Sequence, residues 1–237
     1  EYYDIITESS FDLIVKRNIR LYDGQHQALN IVDKLDKFLC LLRLSTSAGK
    51  TTLVPLIAKL IEQKNMNNYV LFTCPSKFVQ DEVARVCKNI SIEFAIISYD
   101  ENLDKPSVRF HNSCNQNKHL PIVYISDIKS CYYSLKNKDF IANNETKFYR
   151  DKIDNSGKYQ STRQPILFID EPVVGADSDT INQISCQVAL VLANSPEKTF
   201  WSSATLPSVP QFNDIISILK EKYYLKDENI IEICGSE

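Results

Sequence analysis

Short apolar runs and amphipathic stretches alternate along the chain. Seven of the runs are nearly continuous and rich in Ile, Val and aromatic residues: 38–44, 69–74, 94–98, 122–126, 166–170, 199–204 and 230–234. Runs of this length and composition are typical of strands that are covered on both faces. The pattern therefore predicts seven buried strands.

The stretches between these runs have the spacing of helices. Ala28, Ile31, Val32 and Leu35 lie at i, i+3, i+4 and i+7, on one face of a helix that begins near Asp23. Further helices are predicted at 50–63, 76–88, 180–193 and 211–222. Strands that alternate with helices predict an α/β fold, with a mostly parallel sheet flanked by helices. Ligands bind such sheets at the carboxyl ends of the strands.

The domain organisation follows from length and local composition. A chain of 237 residues fits one large domain, which we place at residues 21–234, after a lead-in segment at residues 1–20. Residues 137–164 are polar and rich in Asn and Lys, which predicts an exposed insertion or loop. The first residue is Glu rather than Met, so we expect the chain to be part of something longer.

Composition favours an intracellular protein that is not embedded in a membrane. The longest apolar run contains an arginine, and no run reaches the roughly 18 residues that a membrane span needs. The seven cysteines form no C-x-x-C pair, and several lie in apolar stretches, which is typical of a reducing compartment. Lys and Arg total 27 against 30 Asp and Glu, so nucleic-acid binding would require a locally basic groove.

A candidate phosphate-binding loop, STSAGKT, occupies residues 45–51 between a predicted strand and a predicted helix. In this context successive backbone N–H groups and the positive end of the helix point at one anion. Lys50 is placed to reach the β and γ phosphates and Thr51 to bind Mg²⁺, whereas Thr52 is less suited to face the ion. Leu44 stands where the general motif has its first glycine. The residues that we expect around the nucleotide phosphates are Ser47, Ala48, Gly49, Lys50, Thr51 and Thr52.

A second candidate element is the apolar strand that ends in Asp170 and Glu171. The carboxyl ends of parallel strands share one edge of a sheet, so both carboxylates are expected beside the phosphate loop. In NTP hydrolysis one acid holds Mg²⁺ and the other polarises the attacking water, and we assign these roles to Asp170 and Glu171 in that order. The candidate catalytic residues are Lys50, Asp170 and Glu171, and the candidate metal ligands are Thr51 and Asp170.

The segment SSATLP, residues 202–207, resembles the Ser-Ala-Thr motif of the superfamily 2 (DEAD-like) helicases and translocases. In the same family, TSAGKT resembles motif I, in which the first glycine is often replaced. DEPV resembles motif II, with Pro172 and Val173 in place of the usual last two letters. These motifs follow the family's order and spacing between residues 21 and 207. The resemblance implies that three residues relay the nucleotide state to nucleic acid: Ser203, Ala204 and Thr205.

The resemblance extends to two shorter segments. LYDGQHQAL, residues 21–29, resembles the segment that carries an adenine-reading glutamine, with Gln25 as the better match and Gln27 as the second. TCPSKFVQDEV, which begins at Thr73, resembles motif Ia. Motif Ia implies that three residues lie near the nucleic-acid backbone: Pro75, Ser76 and Lys77.

The family also implies a fold, cofactors and partners. We expect a RecA-like P-loop NTPase domain that binds ATP and Mg²⁺ and that acts on DNA or RNA. A second RecA-like domain, from a longer chain or a partner, would supply arginine fingers, so this chain would be an incomplete motor. Two alternatives stay open at this point. One is a helicase-derived binding or scaffold module with weak or no ATPase activity, and the other is a P-loop NTPase that acts on partners other than nucleic acid.

Overall fold

Strands and helices alternate through the structure. The computed structural model describes residues 2–4, 20–45, 49–172, 183–206 and 209–235. The strands within these ranges are β1 (Tyr2–Asp4), β2 (Arg20–Tyr22), β3 (Phe38–Arg43), β4 (Asn68–Thr73), β5 (Phe94–Asp100), β6 (Lys105–Phe110), β7 (Val123–Ser126), β8 (Gln164–Asp170), β9 (Lys198–Ser202) and β10 (Ile230–Cys234). The α-helices are α1 (Asp23–Lys34), α2 (Lys50–Gln63), α3 (Lys77–Asn89), α4 (Asn112–Asn117), α5 (Ile128–Lys136), α6 (Asp139–Lys152), α7 (Gln183–Ala193) and α8 (Asn213–Tyr223).

Eight of these strands form one sheet in the order β10-β3-β9-β8-β4-β7-β5-β6. All neighbouring pairs are parallel except β5 and β6, which are antiparallel. β1 and β2 form a separate antiparallel pair. The predicted α/β fold is confirmed, and each of the seven apolar runs forms a strand of the large sheet. The edge strand β6 was not predicted, because its polar sequence, KPSVRF, has none of the continuous apolar character of the other strands.

Successive side chains of each strand enter two separate cores, one on each face of the sheet. Cys40, Leu42 and Phe72 belong to the core that α1, α2 and α3 cover. Leu41, Leu71 and the other alternate residues belong to the core under α5, α6, α7 and α8. Helices on both faces explain why the strands are apolar at nearly every position.

The second core contains the chain's single tryptophan, Trp201, which is fully buried in β9. Its indole Nε1 donates a hydrogen bond to Ser195 Oγ at 3.2 Å, and its ring lies edge-on to Phe212 with the centroids 5.2 Å apart. A buried indole needs such a partner, since an unpaired N–H in a core is costly. Trp201 therefore joins β9 to the segments on either side of it.

Residues 137–164 are only partly the exposed loop that their composition predicted, since residues 153–163 contain no helix or strand and are mostly exposed. The segment contains the helix α6, whose inward face is formed by Ile141, Glu145 and Phe148. A charged residue at the centre of that face interrupts the apolar stripe, so the sequence lacks the usual periodic pattern of a packed helix. The prediction of a loop was wrong for α6 because the charged residue Glu145 stands between Ile141 and Phe148 on its inward face and is buried through an ion pair.

That ion pair joins Glu145, which is 0% exposed, to Arg163 at the start of β8. The Arg163 guanidinium donates to both carboxylate oxygens, at 2.5 and 3.2 Å, and also to the Pro121 carbonyl oxygen at 2.7 Å. The Tyr124 hydroxyl donates to Glu145 Oε1 at 2.9 Å, and the Ser161 hydroxyl donates to Oε2. Every oxygen of the buried carboxylate is thus satisfied, as a charge in the interior requires.

None of the described helices combines the length and the apolar character that a membrane crossing requires.

Arg163→Met removes one partner of this buried pair and leaves the Glu145 carboxylate without its counter-charge. We expect the free energy of unfolding to fall by about 3–5 kcal/mol, the usual cost of stranding a buried charge. The double variant Glu145→Leu/Arg163→Met removes both charges and should recover a large part of that loss. Urea unfolding followed by circular dichroism measures all three proteins.

The matched control is Asp227→Asn, which breaks the exposed pair between Asp227 and Lys220. Exposed pairs contribute about 0–1 kcal/mol, so this variant should unfold almost as the unmodified chain does. Equal losses in Arg163→Met and Asp227→Asn would contradict a structural role for the buried pair.

Candidate functional site

Three adjacent strands place the candidate residues at one edge of the sheet. In the strand register Leu42 of β3 lies beside Ser202 of β9, and Ser202 lies beside Asp170 of β8. The segments that follow these strands therefore begin next to one another, at the carboxyl ends where parallel sheets bind ligands. The register alone brings the predicted phosphate loop, acid pair and Ser-Ala-Thr segment together.

Gly49 turns the chain into helix α2 and requires the absence of a side chain. It lies in the left-handed region, with φ of 70° and ψ of 33°, at the N-cap of α2. A Cβ atom there would approach Gln25 Nε2 to 2.5 Å and Thr52 Oγ1 to 2.9 Å. Both the backbone conformation and the close approach of neighbours make glycine necessary at this position.

Gln25 holds this turn from helix α1. Its side-chain Nε2 donates to the Gly49 carbonyl oxygen at 2.9 Å and to Thr52 Oγ1 at 3.0 Å, while its Oε1 accepts from the Tyr22 backbone N–H at 3.1 Å. Gln27 is exposed and donates to Asp23 instead. Of the two predicted glutamines, Gln25 is the one that lies at the loop. Both the oxygen and the nitrogen of its side-chain amide make hydrogen bonds that hold the turn.

Lys50, Glu171 and Ser203 form a connected set of polar contacts. The Lys50 Nζ atom, in a residue that is 4% exposed, lies 2.7 Å from Glu171 Oε1. The other carboxylate oxygen of Glu171 accepts a hydrogen bond from the Ser203 hydroxyl, also at 2.7 Å. Ser203 Oγ in turn accepts from the Thr205 backbone N–H at 3.2 Å. One residue of each predicted motif thus contacts the next.

The backbone at Glu171 is strained. Its φ is +54°, which non-glycine residues rarely adopt, and its N–H donates to the Ser202 carbonyl oxygen at 2.7 Å. A residue held in this region costs of order 1–3 kcal/mol and persists only where its surroundings enforce it. The turn directs the Glu171 side chain toward Lys50 and Ser203.

The two neighbouring carboxyl groups differ in their electrostatics. Burial acts to raise the pKa of Glu171, but the hydrogen bonds from Lys50 and Ser203 outweigh it and hold that pKa below its ordinary value. Burial raises the pKa of Asp170, and the nearby charge of Lys50 offsets only part of that rise. Asp170 is 4% exposed, and its Oδ1 atom has no hydrogen-bond partner among the described residues. Asp170 thus has one buried carboxylate oxygen that the described residues leave without a hydrogen bond.

The remaining predicted positions are only partly described. Ser47, Ala48 and Pro207 lie outside the described residues. Thr51 is half-buried at the second position of α2, and Thr52 uses its hydroxyl to donate to the Gly49 carbonyl oxygen at 2.7 Å. The hydroxyl of Thr52 is therefore used within the turn, and the role of Thr51 as an ion ligand stays a prediction. Ala204 and Thr205 are exposed.

The predicted motif Ia follows β4, the strand next to β8. Ser76 caps helix α3 by accepting from the Val79 backbone N–H, and Pro75 precedes it in the turn. Lys77 is exposed and pairs with Asp81 at 2.9 Å. These residues lie at the same edge of the sheet as the acid pair, one strand away.

No family model matches this sequence, and no curated protein matches it. Solved structures do share its fold. A DEAD box protein from the hyperthermophile Methanococcus jannaschii aligns with a TM-score of 0.56 and 13% identity, over 100% of this chain and 57% of that chain. The DEAD-box helicase Mss116, bound to ssRNA and UDP-BeF, aligns with a TM-score of 0.56 and 11% identity, over 98% of this chain and 44% of that chain.

The DUF1998 helicase MrfA, bound to DNA and AMPPNP, aligns with a TM-score of 0.53 and 15% identity, over 100% of this chain and 30% of that chain. The chain thus spans between 30% and 57% of the lengths of these three proteins. At such low identities the likeness establishes the fold. The predicted RecA-like α/β fold, similar to that of superfamily 2 helicase domains, is confirmed.

Asp170→Asn is expected to stabilise the folded chain. At neutral pH the buried charge of Asp170 carries a desolvation cost in the folded state alone, and removing it should raise the free energy of unfolding by about 0.5–2 kcal/mol. Because the pKa of Asp170 is raised in the folded state, the gain should shrink as the pH falls through that pKa and vanish below the ordinary value. Urea unfolding from neutral to acidic pH measures it.

Glu221→Gln removes one exposed acid of α8 and controls for the change in net charge. We expect no more than a few tenths of a kcal/mol from it, as is usual for surface substitutions. An Asp170→Asn variant less stable than the unmodified chain at neutral pH would show that the carboxylate stabilises the fold and would refute this account.

Proposed function

We propose that the chain is the ATP-binding motor domain of a superfamily 2 helicase or translocase, which couples ATP hydrolysis to movement or unwinding of nucleic acid. The observation that carries the proposal is the contact of Lys50 with Glu171 and of Glu171 with Ser203. Among the structures with this fold, Mss116 is bound to ssRNA and UDP-BeF, and MrfA to DNA and AMPPNP. These neighbours support nucleotide and nucleic acid as the two ligands.

In this proposal Lys50 exchanges one anion for another. Its ammonium group is almost fully buried and is paired with a carboxylate in this structure. Nucleotide phosphates at the N-terminus of α2 offer a denser negative charge in the same place, next to backbone N–H groups that point the same way. Gln25 and Gly49 keep the turn in the shape that this exchange needs.

The residues present fit a divalent cation. Asp170 has a buried oxygen without a partner among the described residues, and oxygen ligands from carboxylates and hydroxyls are those that Mg²⁺ takes. Asp170 and Thr51 are the residues that would hold the ion. Bound Mg²⁺ neutralises charge that develops on the phosphate oxygens during transfer.

Glu171 connects ATP hydrolysis to the segment that would pass the nucleotide state on to nucleic acid. Once Lys50 turns to phosphate, the Glu171 carboxylate loses its charged partner and becomes free to orient and polarise the attacking water. It keeps its contact with Ser203, so a change at Glu171 reaches the segment that contains Ser203, Ala204 and Thr205. Motif II and the Ser-Ala-Thr motif thus communicate through the glutamate, without the side chains that usually follow it in the family.

A complete motor further needs the second RecA-like domain and its arginine fingers. We expect the 237-residue chain alone to hydrolyse ATP slowly or not measurably, because an arginine finger contributes about 10³- to 10⁵-fold to turnover in related NTPases. Phosphate release by this chain, compared with the full-length protein in the presence of nucleic acid, measures the difference. Similar rates for the two would refute the dependence on a second domain.

Lys50→Ala and Glu171→Gln test the site in the full-length protein. Lys50→Ala removes the charge that meets the phosphates, so nucleotide affinity and hydrolysis should both fall, by about tenfold or more for a lost charge-assisted contact. Glu171→Gln keeps the shape and should retain nucleotide binding while abolishing hydrolysis stimulated by nucleic acid. A fluorescent ATP analogue and a phosphate-release assay report the two steps.

Lys64→Ala is the matched control, since Lys64 is an exposed lysine at the end of the same helix α2. It should change neither step. ATPase activity that survives both Lys50→Ala and Glu171→Gln would overturn the site assignment. Nucleotide and nucleic-acid binding by the full-length protein without any hydrolysis would favour a helicase-derived binding module instead.

A further inference from the structure

One large aromatic side chain at the edge of the sheet formed by the carboxyl ends of the strands contacts solvent instead of the core. Phe78 lies in the first turn of α3 and is 79% exposed. The buried residues of that helix are Gln80, Val83 and Cys87, so Phe78 points away from the packed face. Burying a Phe side chain is worth about 1.5–3 kcal/mol, and the fold of the described residues does not use this gain.

Phe78 lies beside the proposed nucleotide site. It follows β4, whose Thr73 is paired with Ile169 of β8 on one side and with Ser126 of β7 on the other. Neighbouring strands lie about 4.8 Å apart, so the turn after β4 emerges one strand from Asp170. An aromatic ring here is at the edge where parallel sheets take their ligands.

The turn that carries Phe78 is held in place. Gln80 Nε2 donates to the Cys74 carbonyl oxygen at 3.0 Å, and Cys74 Sγ donates to the Ser76 carbonyl oxygen at 3.1 Å. Thr73 Oγ1 donates to the Ser126 carbonyl oxygen at 3.0 Å. A fixed backbone presents the ring at little entropic cost, which favours binding of a flat partner.

One lysine lies directly before this ring in the sequence, and Asp81 and Glu82 follow it by three and four residues. Lys77 is its neighbour in sequence, and its pairing with Asp81 involves two side chains that are each more than 60% exposed. Such a pair is worth little, so Lys77 can exchange Asp81 for a phosphate. An exposed ring next to an exchangeable cation is suited to binding single-stranded nucleic acid, through base stacking and a phosphate contact.

We propose that Phe78 stacks on an unpaired base of a single strand that crosses this edge of the sheet. The inference rests on the proposed function. It adds a contact to a base, whereas the contacts that motif Ia implies for Pro75, Ser76 and Lys77 are with the backbone of the strand. Every base has a flat face on which an aromatic ring can stack, so this contact binds the strand without selecting its sequence.

Two labelled single strands of equal length separate stacking from phosphate binding. One carries bases throughout, and the other carries abasic sites over its central part. Fluorescence anisotropy with the unmodified chain, Phe78→Ala, Phe78→Trp and Lys77→Ala gives their affinities. Phe78→Ala should weaken binding of the strand with bases by about 5- to 150-fold, the range for one stacked base, and leave binding of the abasic strand unchanged. Phe78→Trp should bind as tightly as the unmodified chain.

Lys77→Ala is the comparison on the same turn. It should weaken both strands alike and reduce the slope of log affinity against log salt by about one. Because Phe78 is exposed, Phe78→Ala should also unfold in urea as the unmodified chain does, which excludes a folding defect as the cause.

The outcomes distinguish the inference from the function beneath it. If the unmodified chain binds neither strand, the nucleic-acid function fails and the inference fails with it. If the unmodified chain and Phe78→Ala bind the strand with bases equally, the inference alone is overturned. The inference is also overturned if Phe78→Ala loses the same affinity for the abasic strand as for the strand with bases. A Phe78→Ala variant that loses affinity for the rest of the protein while its binding to nucleic acid is intact overturns it as well, since the ring would then be a protein contact.

Discussion

The ion pair between Lys50 and Glu171 is the interaction on which the candidate site, at the carboxyl ends of β3, β9 and β8, depends. A lysine that is almost fully buried requires a counter-charge, and Glu171, directly after strand β8, supplies one. Three features of the surrounding structure make this contact possible. Gly49 allows the tight turn, Gln25 fixes it, and the strained backbone of Glu171 directs the carboxylate to the ammonium group. In the function that we propose, phosphate competes for the same lysine, so the contact that organises this part of the structure is also the one that the nucleotide breaks.

Two consecutive carboxyl groups acquire different properties from this arrangement. Glu171 has charged and hydroxyl partners that lower its pKa, while burial raises the pKa of Asp170, one residue earlier. Adjacent acids whose environments separate their pKa values are a common way in which one site obtains two roles. Here the separation follows from the turn after β8, because the positive φ of Glu171 directs its side chain to Lys50 and Ser203 while Asp170 remains in the buried strand. Glu171 contacts Ser203, and one oxygen of Asp170 has no hydrogen-bond partner among the described residues.

The sequence predicted the parts of this structure that depend on local pattern. Continuous apolar runs located the strands, and the edge predicted from them is where Lys50 and Glu171 make contact. The sequence did not reveal α6, since Glu145 replaces an apolar residue on its inner face and depends on Arg163, which is distant along the chain. Nor did it reveal that Phe78 is exposed, because an apolar residue next to Val79 looks like core until the packed face of α3 is known. Contacts between distant residues and the orientation of a helix are set by tertiary packing, which no local pattern contains.

Trp201 gives the chain an internal optical reporter. It is the only indole, it is fully buried, and it stands two residues before Ser203 on β9. Tryptophan emission therefore comes from a single place in the molecule, without the averaging that several indoles impose. Its hydrogen bond to Ser195 and its contact with Phe212 set the polarity around the ring. A rearrangement that passes from Glu171 through Ser203 into β9 would change the wavelength and intensity of that emission, so events at the sheet edge can be followed by light without any added label.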